Sequence, residues 1–402
     1  MSSRAIHQAF EQGQGILRLA PNWVPRLSNT PGRRLRLHPD DYFALGMQRG
    51  AIKERWFCSI VHANGAAAPA DEGMSYVALS DRQEDKLMFR DVVEDLGPAL
   101  IGDELYRRHG GWPMFSKFYD YDGRLAFHIH PDDAASARVG MLGKPEAYYF
   151  PFQLNNHLGQ FAVTYFGFDP GVTREQVKER LLQFESADNR ITELSRGYRI
   201  QLGTGWYTPP GVVHAPGSVL TYEPQCNSDI GSAQENVVNG VVVPYRSLVS
   251  SCPDDKKYDI GYIMSLMDWE TNVDPYYRQH YFRAPIACPT IDDRYSEQWI
   301  TYGNDHFGAK ELTVKPGQSV VVKDAVAFGC VLIQGHGQFG AHDAEAATML
   351  RFGQMSADEF FVSEAAARDG ILIANHSRWE PLVFLKHFAA NHPDMPPAPS
   401  DS

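Results

Sequence analysis

Cysteine is scarce and unpatterned in this chain. The five present among 402 residues, Cys58, Cys226, Cys252, Cys288 and Cys330, are odd in number, widely spread and contain no C-x-x-C pair. That spacing excludes a disulfide framework and a zinc knuckle as organising devices and fits a reducing cytoplasm. Long apolar runs are missing as well. No stretch approaches the roughly 20 residues that a membrane-spanning helix needs, and Met1 to Gly15 lacks the apolar segment of an export signal. The expectation is a soluble, cytoplasmic protein with no membrane partner. Positive charge is the third shortage, with 37 Lys and Arg against 49 Asp and Glu, a net −12. Beyond the short Arg33-Arg34-Leu35-Arg36 there is no basic block, so nucleic acid is not an expected partner.

What is abundant points to packed β structure. A hydrophobic content of 43%, with 12% aromatic residues, fills sizeable cores, and 34 Gly with 26 Pro supply many turns between short strands. Arg55 to Val61 reads as an entry strand, and Phe115 to Phe118, Leu125 to His130, Glu146 to Gln153 and Gln160 to Phe168 form the densest β region. Asp122-Gly123 signals a hairpin turn within it. Helical spacing is confined to two places. Leu87, Val92, Val93, Leu96, Leu100 and Leu105 predict two short helices near 80-110, broken at Gly97-Pro98. Thr173 with Gln176 makes a capping box ahead of Val177, Leu181 and Phe184, which predicts a helical segment near 173-195.

After Tyr198 the strand pattern resumes through Leu220 to Tyr222 and Val237 to Val243, and a Pro- and Tyr-rich connection follows from Asp254 to Ile300. A second set of short strands then runs from Glu311 to Lys386. These features divide the chain into 1-274, 275-392 and a proline-rich flexible tail, 393-402, giving a mainly β protein of two barrel-sized domains with helical segments.

His128-Ile129-His130 sits in an apolar strand, where a period of two sends both imidazoles to one face, about 7 Å apart at Cα. Two core histidines satisfied by hydrogen bonds would read the same way. Glu146, however, opens a hydrophobic strand that has no other reason to carry a charge inward. The run from Gly203 through Pro209-Pro210-Gly211-Val212-Val213-His214 then resembles the G-x5-P-x-G-x2-H signature of the cupin superfamily. Its Pro-Gly turn aims His214 back toward the H-x-H strand, so His128, His130, Glu146 and His214 are the candidate ligands of one divalent metal.

Three runs in order, Phe127-His128-Ile129-His130-Pro131-Asp132-Asp133, Gly143-Lys144-Pro145-Glu146-Ala147-Tyr148-Tyr149 and Pro210-Gly211-Val212-Val213-His214-Ala215, resemble the type I phosphomannose isomerase (mannose-6-phosphate isomerase) family across about residues 50 to 245. The resemblance implies a bicupin whose second cupin is degenerate and a metal on the four candidate ligands. Zinc comes first, with iron, manganese or nickel as alternatives. It also implies a small-molecule sugar or sugar phosphate as partner and an aldose–ketose isomerisation through an enediol. Lys144, placed at the substrate by the family's motif, is the candidate catalytic residue, with a proton affinity lowered by a neighbouring metal. The sequence departs from the family at His128, where the isomerases usually have Gln, and at Asn239, where Glu235-Asn236-Val237-Val238-Asn239-Gly240 resembles a run with a substrate-facing Arg.

Around this core, Gln225 and Ser228 suit sugar recognition, and Arg246 or Arg199 could replace the missing Arg. Asp132 is a weaker substrate candidate, since it also suits the cap of the turn that follows. Two other readings stay open: a cupin oxygenase using Fe(II) at the same ligands, and a metal-containing sugar-binding protein without turnover. Assembly into a homo-oligomer is compatible with the sequence and not written in it.

Overall fold

The computed structural model describes residues 3–65, 67–289 and 292–399. The protein is mainly β, built as four stacked sheets and a two-stranded hairpin, Val237–Val238 with Val241–Val242. A five-stranded sheet carrying His128–Ile129 and His214–Ala215 faces a seven-stranded sheet that includes Ala51–Phe57, Met114–Tyr119, Glu146–Tyr149, Gly205–Thr208 and Thr221–Cys226. Behind it a nine-stranded sheet is backed by a four-stranded one, Ser319–Val322 to His342–Glu345. Alternation explains the layering. Along the seven-stranded sheet Tyr119 and Tyr148 turn toward the five-stranded sheet and join Phe166 and Val219 in one core. Phe57, Phe118, Tyr149 and Tyr222 turn the other way onto Val331, Val383 and Leu385. A third core, with Leu312, Phe328 and Phe384 against Val320 and Ile371, fills the second sandwich.

Several expectations change in the structure. The first strand, Ile16–Ala20, lies in a stretch read as irregular and pairs with Glu359–Val362, so the N-terminal segment completes the C-terminal sheet. Asp122-Gly123 is no hairpin, because Met114–Tyr119 and His128–Ile129 belong to different sheets and the chain crosses between them here. The region near 80-110 holds three helices, Phe89–Leu96, Pro98–Ile101 and Asp103–His109, since Gly102 as well as Gly97 breaks the run at positive φ. The Thr173 capping box forms, and Arg174–Leu182 buries Val177 and Leu181. The tail is seated up to residue 399: Met395 packs on the second sandwich and the Pro396 carbonyl accepts from the Gly303 N–H at 3.1 Å. The last three tail residues lie outside the described ones. Among the described residues no helix is long and apolar enough to cross a membrane.

The two sandwiches meet through buried polar groups as well as apolar ones. His387 accepts or donates at 2.9 Å to both Ser116 and Tyr222. Glu359, fully buried, accepts from the Cys58 N–H at 3.1 Å, and burial, reinforced by Asp358, pushes its carboxyl up to about 8 against the pull of Arg55. The folded chain therefore holds a proton that the unfolded chain releases near 4.5, so this group's contribution to stability falls as pH rises from about 4.5 through 8. Glu359→Gln, which fixes the neutral shape, is expected to flatten the decline in melting temperature between pH 6 and pH 9. An unaltered slope in a melting series would contradict that.

Candidate metal centre

Each of the four candidate ligands is delivered by a different local rule. The pleat puts His128 and His130 on one side of a short strand. The turn at Pro210-Gly211, where Gly211 has a φ of 81°, brings His214 into register directly opposite His128. Glu146 begins the strand Glu146–Tyr149 in the facing sheet. The result is a compact cluster whose four ligand atoms lie within 4.8 Å of one another, with ring centroids 4.2 Å apart for His128 and His214. His130, Glu146 and His214 are buried, and His128 is partly open.

The hydrogen bonds around the rings orient their lone pairs. His128 Nδ1 lies 2.7 Å from the Ala126 carbonyl, His130 Nδ1 2.6 Å from that of Ile230, and His214 Nδ1 2.8 Å from that of Val212. A carbonyl only accepts, so each Nδ1 carries the proton and each Nε2 of the neutral ring is a bare lone pair. Those lone pairs face a carboxylate: His214 Nε2 is 2.9 Å from Glu146 Oε1, and His130 Nε2 is 3.1 Å from Glu146 Oε2. Acceptor against acceptor is repulsive unless protons or a cation intervene. Protonating the rings is opposed by burial, which lowers the His130 pKa to about 4 with help from Lys144 and holds His128 well below the usual range. Burial also opposes charge on Glu146, but Lys144, the largest opposing influence, keeps the carboxyl ionised, well below its ordinary range. Lys144 Nζ lies 3.3 Å from His130 Nε2, while His214 Nε2 has no hydrogen-bond partner. Neutral imidazoles and a carboxylate converging in this way are the donor set that a divalent metal takes.

Lys144 belongs to this cluster, where two carboxyl groups face it. Burial lowers its proton affinity, but Glu146 at 2.9 Å and Glu223 at 3.5 Å raise it above the ordinary range, so the side chain is an ammonium. The structure adds residues the sequence reading passed over. Glu223, Lys117 and Glu54 share the inward face of the seven-stranded sheet: Lys117 Nζ is 3.1 Å from Glu223 and 3.9 Å from Glu54. Burial and the negative charge of Glu146 push the Glu223 carboxyl up to about 8. The Tyr148 hydroxyl donates to Glu146. The available signal was a charged residue alternating with aromatic ones, as in Phe115-Ser116-Lys117-Phe118-Tyr119 and Thr221-Tyr222-Glu223.

Over 93% of its length the chain superposes on a putative mannosephosphate isomerase from Archaeoglobus fulgidus, at 14% identity, 97% of that chain and a TM-score of 0.61. It does so equally on the mannose 6-phosphate isomerase from Bacillus subtilis, at 16% identity and 99% of that chain, also with a TM-score of 0.61. The fold is that of the mannose-6-phosphate isomerases. A zinc-bound mannose 6-phosphate isomerase matches as well, at 12% identity over 93% of this chain and 99% of that one, with a TM-score of 0.59. No protein-family model and no curated protein sequence matches the chain.

The remaining expected substrate residues divide. Gln225 is fully buried and pairs directly across from Glu146, so it stands beside the cluster. Ser228 is committed to the fold, donating to the Leu142 carbonyl at 2.7 Å. Asp132 is exposed and caps the helix Asp133–Ala137 by accepting from the Ala135 N–H at 2.8 Å. Arg246 is exposed on the one-turn helix Tyr245–Leu248, and Arg199 is exposed at the end of Ser195–Arg199. Asn239 occupies a two-residue turn with Gly240, at φ values of 50° and 75°, joining Val237–Val238 to Val241–Val242. Both positive values mark the hairpin turn that Asn-Gly favours, and the Asn239 amide donates to Asn29 Oδ1 at 2.7 Å and to the Arg124 carbonyl at 2.9 Å.

Proposed function

We propose that the chain is a metal-dependent aldose–ketose isomerase that moves a proton between C1 and C2 of a sugar. The observation that carries the reading is the buried pair beside the metal cluster. Glu223 is an acid with its proton affinity raised to about 8, and it touches Lys144, an ammonium 2.9 Å from the ligand Glu146. Isomerisation needs one group that takes a proton from carbon and returns it to the neighbouring carbon, and a second that stabilises charge on oxygen meanwhile. Bound at the cluster, a divalent ion, zinc first, would supply Lewis-acid polarisation of the sugar carbonyl.

In this reading Glu223, as carboxylate, removes the proton from C2 of the aldose. The C1=C2 bond forms as the carbonyl π electrons move to O1, and the Lys144 ammonium stabilises the developing charge. Delivery of the Glu223 proton to C1 and transfer of the O2 proton to O1, as the C2=O bond forms, leave the ketose. Lys117, 3.1 Å from Glu223, orients that carboxylate. Three ring orientations fixed by backbone carbonyls mean that little reorganisation accompanies the step.

The test is exchange in heavy water with metal-replete protein and a panel of aldoses. Deuterium is expected at C2 of recovered aldose and C1 of ketose by NMR. Glu223→Gln is expected to slow both by at least about 100-fold, the usual range for losing a general base. Oxygen uptake by an iron-loaded protein with no exchange would replace this reading with the oxygenase one.

A further inference from the structure

We infer that the sugar this site takes is uncharged, an aldose or ketose without a phosphate ester; the inference rests on the isomerase reading above. A phosphate dianion is held by donors that have charge to spare, most often Arg or Lys with no carboxylate already on them. The cations on the inward sheet face are each already set against two carboxyl groups. Lys144 faces Glu146 at 2.9 Å and Glu223 at 3.5 Å. Lys117 faces Glu223 at 3.1 Å and Glu54 at 3.9 Å. Arg26 is clamped by Glu54, at 2.9 and 3.0 Å, and by Asp229 at 3.2 Å. Three cations alternate with four carboxylates, so a phosphate entering here meets a carboxylate beside every ammonium or guanidinium it could approach.

A further arginine, on the crossing between the two sheets, is paired in the same manner. Arg124 forms a two-pronged pair with Glu235 at 2.5 Å, and Glu235 also accepts from the Phe127 N–H at 3.0 Å. Asn239, where the resemblance would put an arginine, is spent on its hairpin turn.

Neutral hydrogen-bonding atoms, by contrast, stand ready on both sides of the metal cluster. Thr208 and Gln225 are the direct cross-strand neighbours of Glu146, one on each flanking strand, and so share its face. Both are buried, at 1% and 0% exposure, and Thr208 Oγ1 and Gln225 Oε1 have no hydrogen-bond partner. A buried hydroxyl and a buried amide oxygen left unpaired cost the fold stability that a ligand's hydroxyls would return. An unpaired hydroxyl and amide oxygen beside cations already set against carboxyl groups suit a polyol and do not suit a dianion.

Initial rates on D-mannose, D-glucose and their 6-phosphates, with the metal-replete full chain, decide the matter. The free sugars are expected to exceed their phosphates in kcat/KM by at least about 100-fold. Thr208→Val, which keeps the shape and deletes the hydroxyl, is expected to raise KM for the free sugar at least about fivefold with kcat little changed. A preference for the phosphates would overturn this inference while leaving the isomerase reading standing. Absence of C2 deuterium exchange with all four sugars would overturn both. An unchanged KM in Thr208→Val would remove the recognition assigned to that residue.

Discussion

His214→Ala is expected to strip the protein of its metal and, with it, of turnover. His214 has no exposed surface, its Nε2 has no hydrogen-bond partner, and it lies 2.9 Å from Glu146. Its removal leaves two imidazoles and one carboxylate in a pocket too buried for water to replace the ring freely. Outer partners of a metal ligand are commonly worth about 10–100-fold in affinity, so loss of the ligand itself should exceed about 100-fold. Elemental analysis after dialysis against a weak chelator reads this directly, and an equimolar ion retained by His214→Ala would remove the residue from the ligand set. His128→Gln makes the useful comparison. An amide oxygen can still reach the cluster from the partly open position, so this variant should hold metal much more tightly than His214→Ala. Added metal should also raise the melting temperature of the native chain and leave that of His214→Ala unmoved, because a ligand stabilises only the state that binds it.

How much of this was legible in the sequence depended on how local the rule was. The clustering of the four candidate ligands was readable because each is positioned by a few neighbouring residues: the pleat for His128 and His130, the Pro-Gly turn for His214, an isolated charge opening an apolar strand for Glu146. The second sandwich was readable for the same reason, since Ser319–Val322 and Ile371–Asn375 alternate cleanly or run apolar. What escaped was set by distant partners. Nothing in Ile16 to Ala20 says that it pairs with Glu359 to Val362, more than 300 residues along the chain, and pairing is what makes it a strand. Lys117 and Glu223 look like ordinary strand charges until the register places them side by side. Asn239 teaches a different lesson. Asn-Gly between valines is a strong hairpin signal, and reading the same residues through a family motif drew attention from the backbone to a missing side chain.

Arg55→Met is expected to destabilise the fold by about 3–5 kcal/mol, the cost of leaving a buried ion pair half empty. Arg55 projects from the outward face of the seven-stranded sheet into the nine-stranded one, at 2% exposure. Both terminal nitrogens reach Asp358, each at 2.7 Å, and one lies 3.5 Å from Glu359. The guanidinium also covers the rings of Phe57 and Trp23, at 5.1 and 5.6 Å. Methionine keeps much of that apolar cover, so the loss should be chiefly electrostatic: a buried Asp358 left with the Ser356 hydroxyl donating to it, next to a second carboxyl. One consequence separates this account from a simple packing defect. Adding Asp358→Asn to Arg55→Met should recover a large part of the loss, because the unpaired charge goes with it. Urea unfolding of the single and double variants at pH 7 measures both. If the double variant were no more stable than the single, the cost would lie in packing against Phe57 and Trp23, and the ion pair would contribute little to joining the two sandwiches.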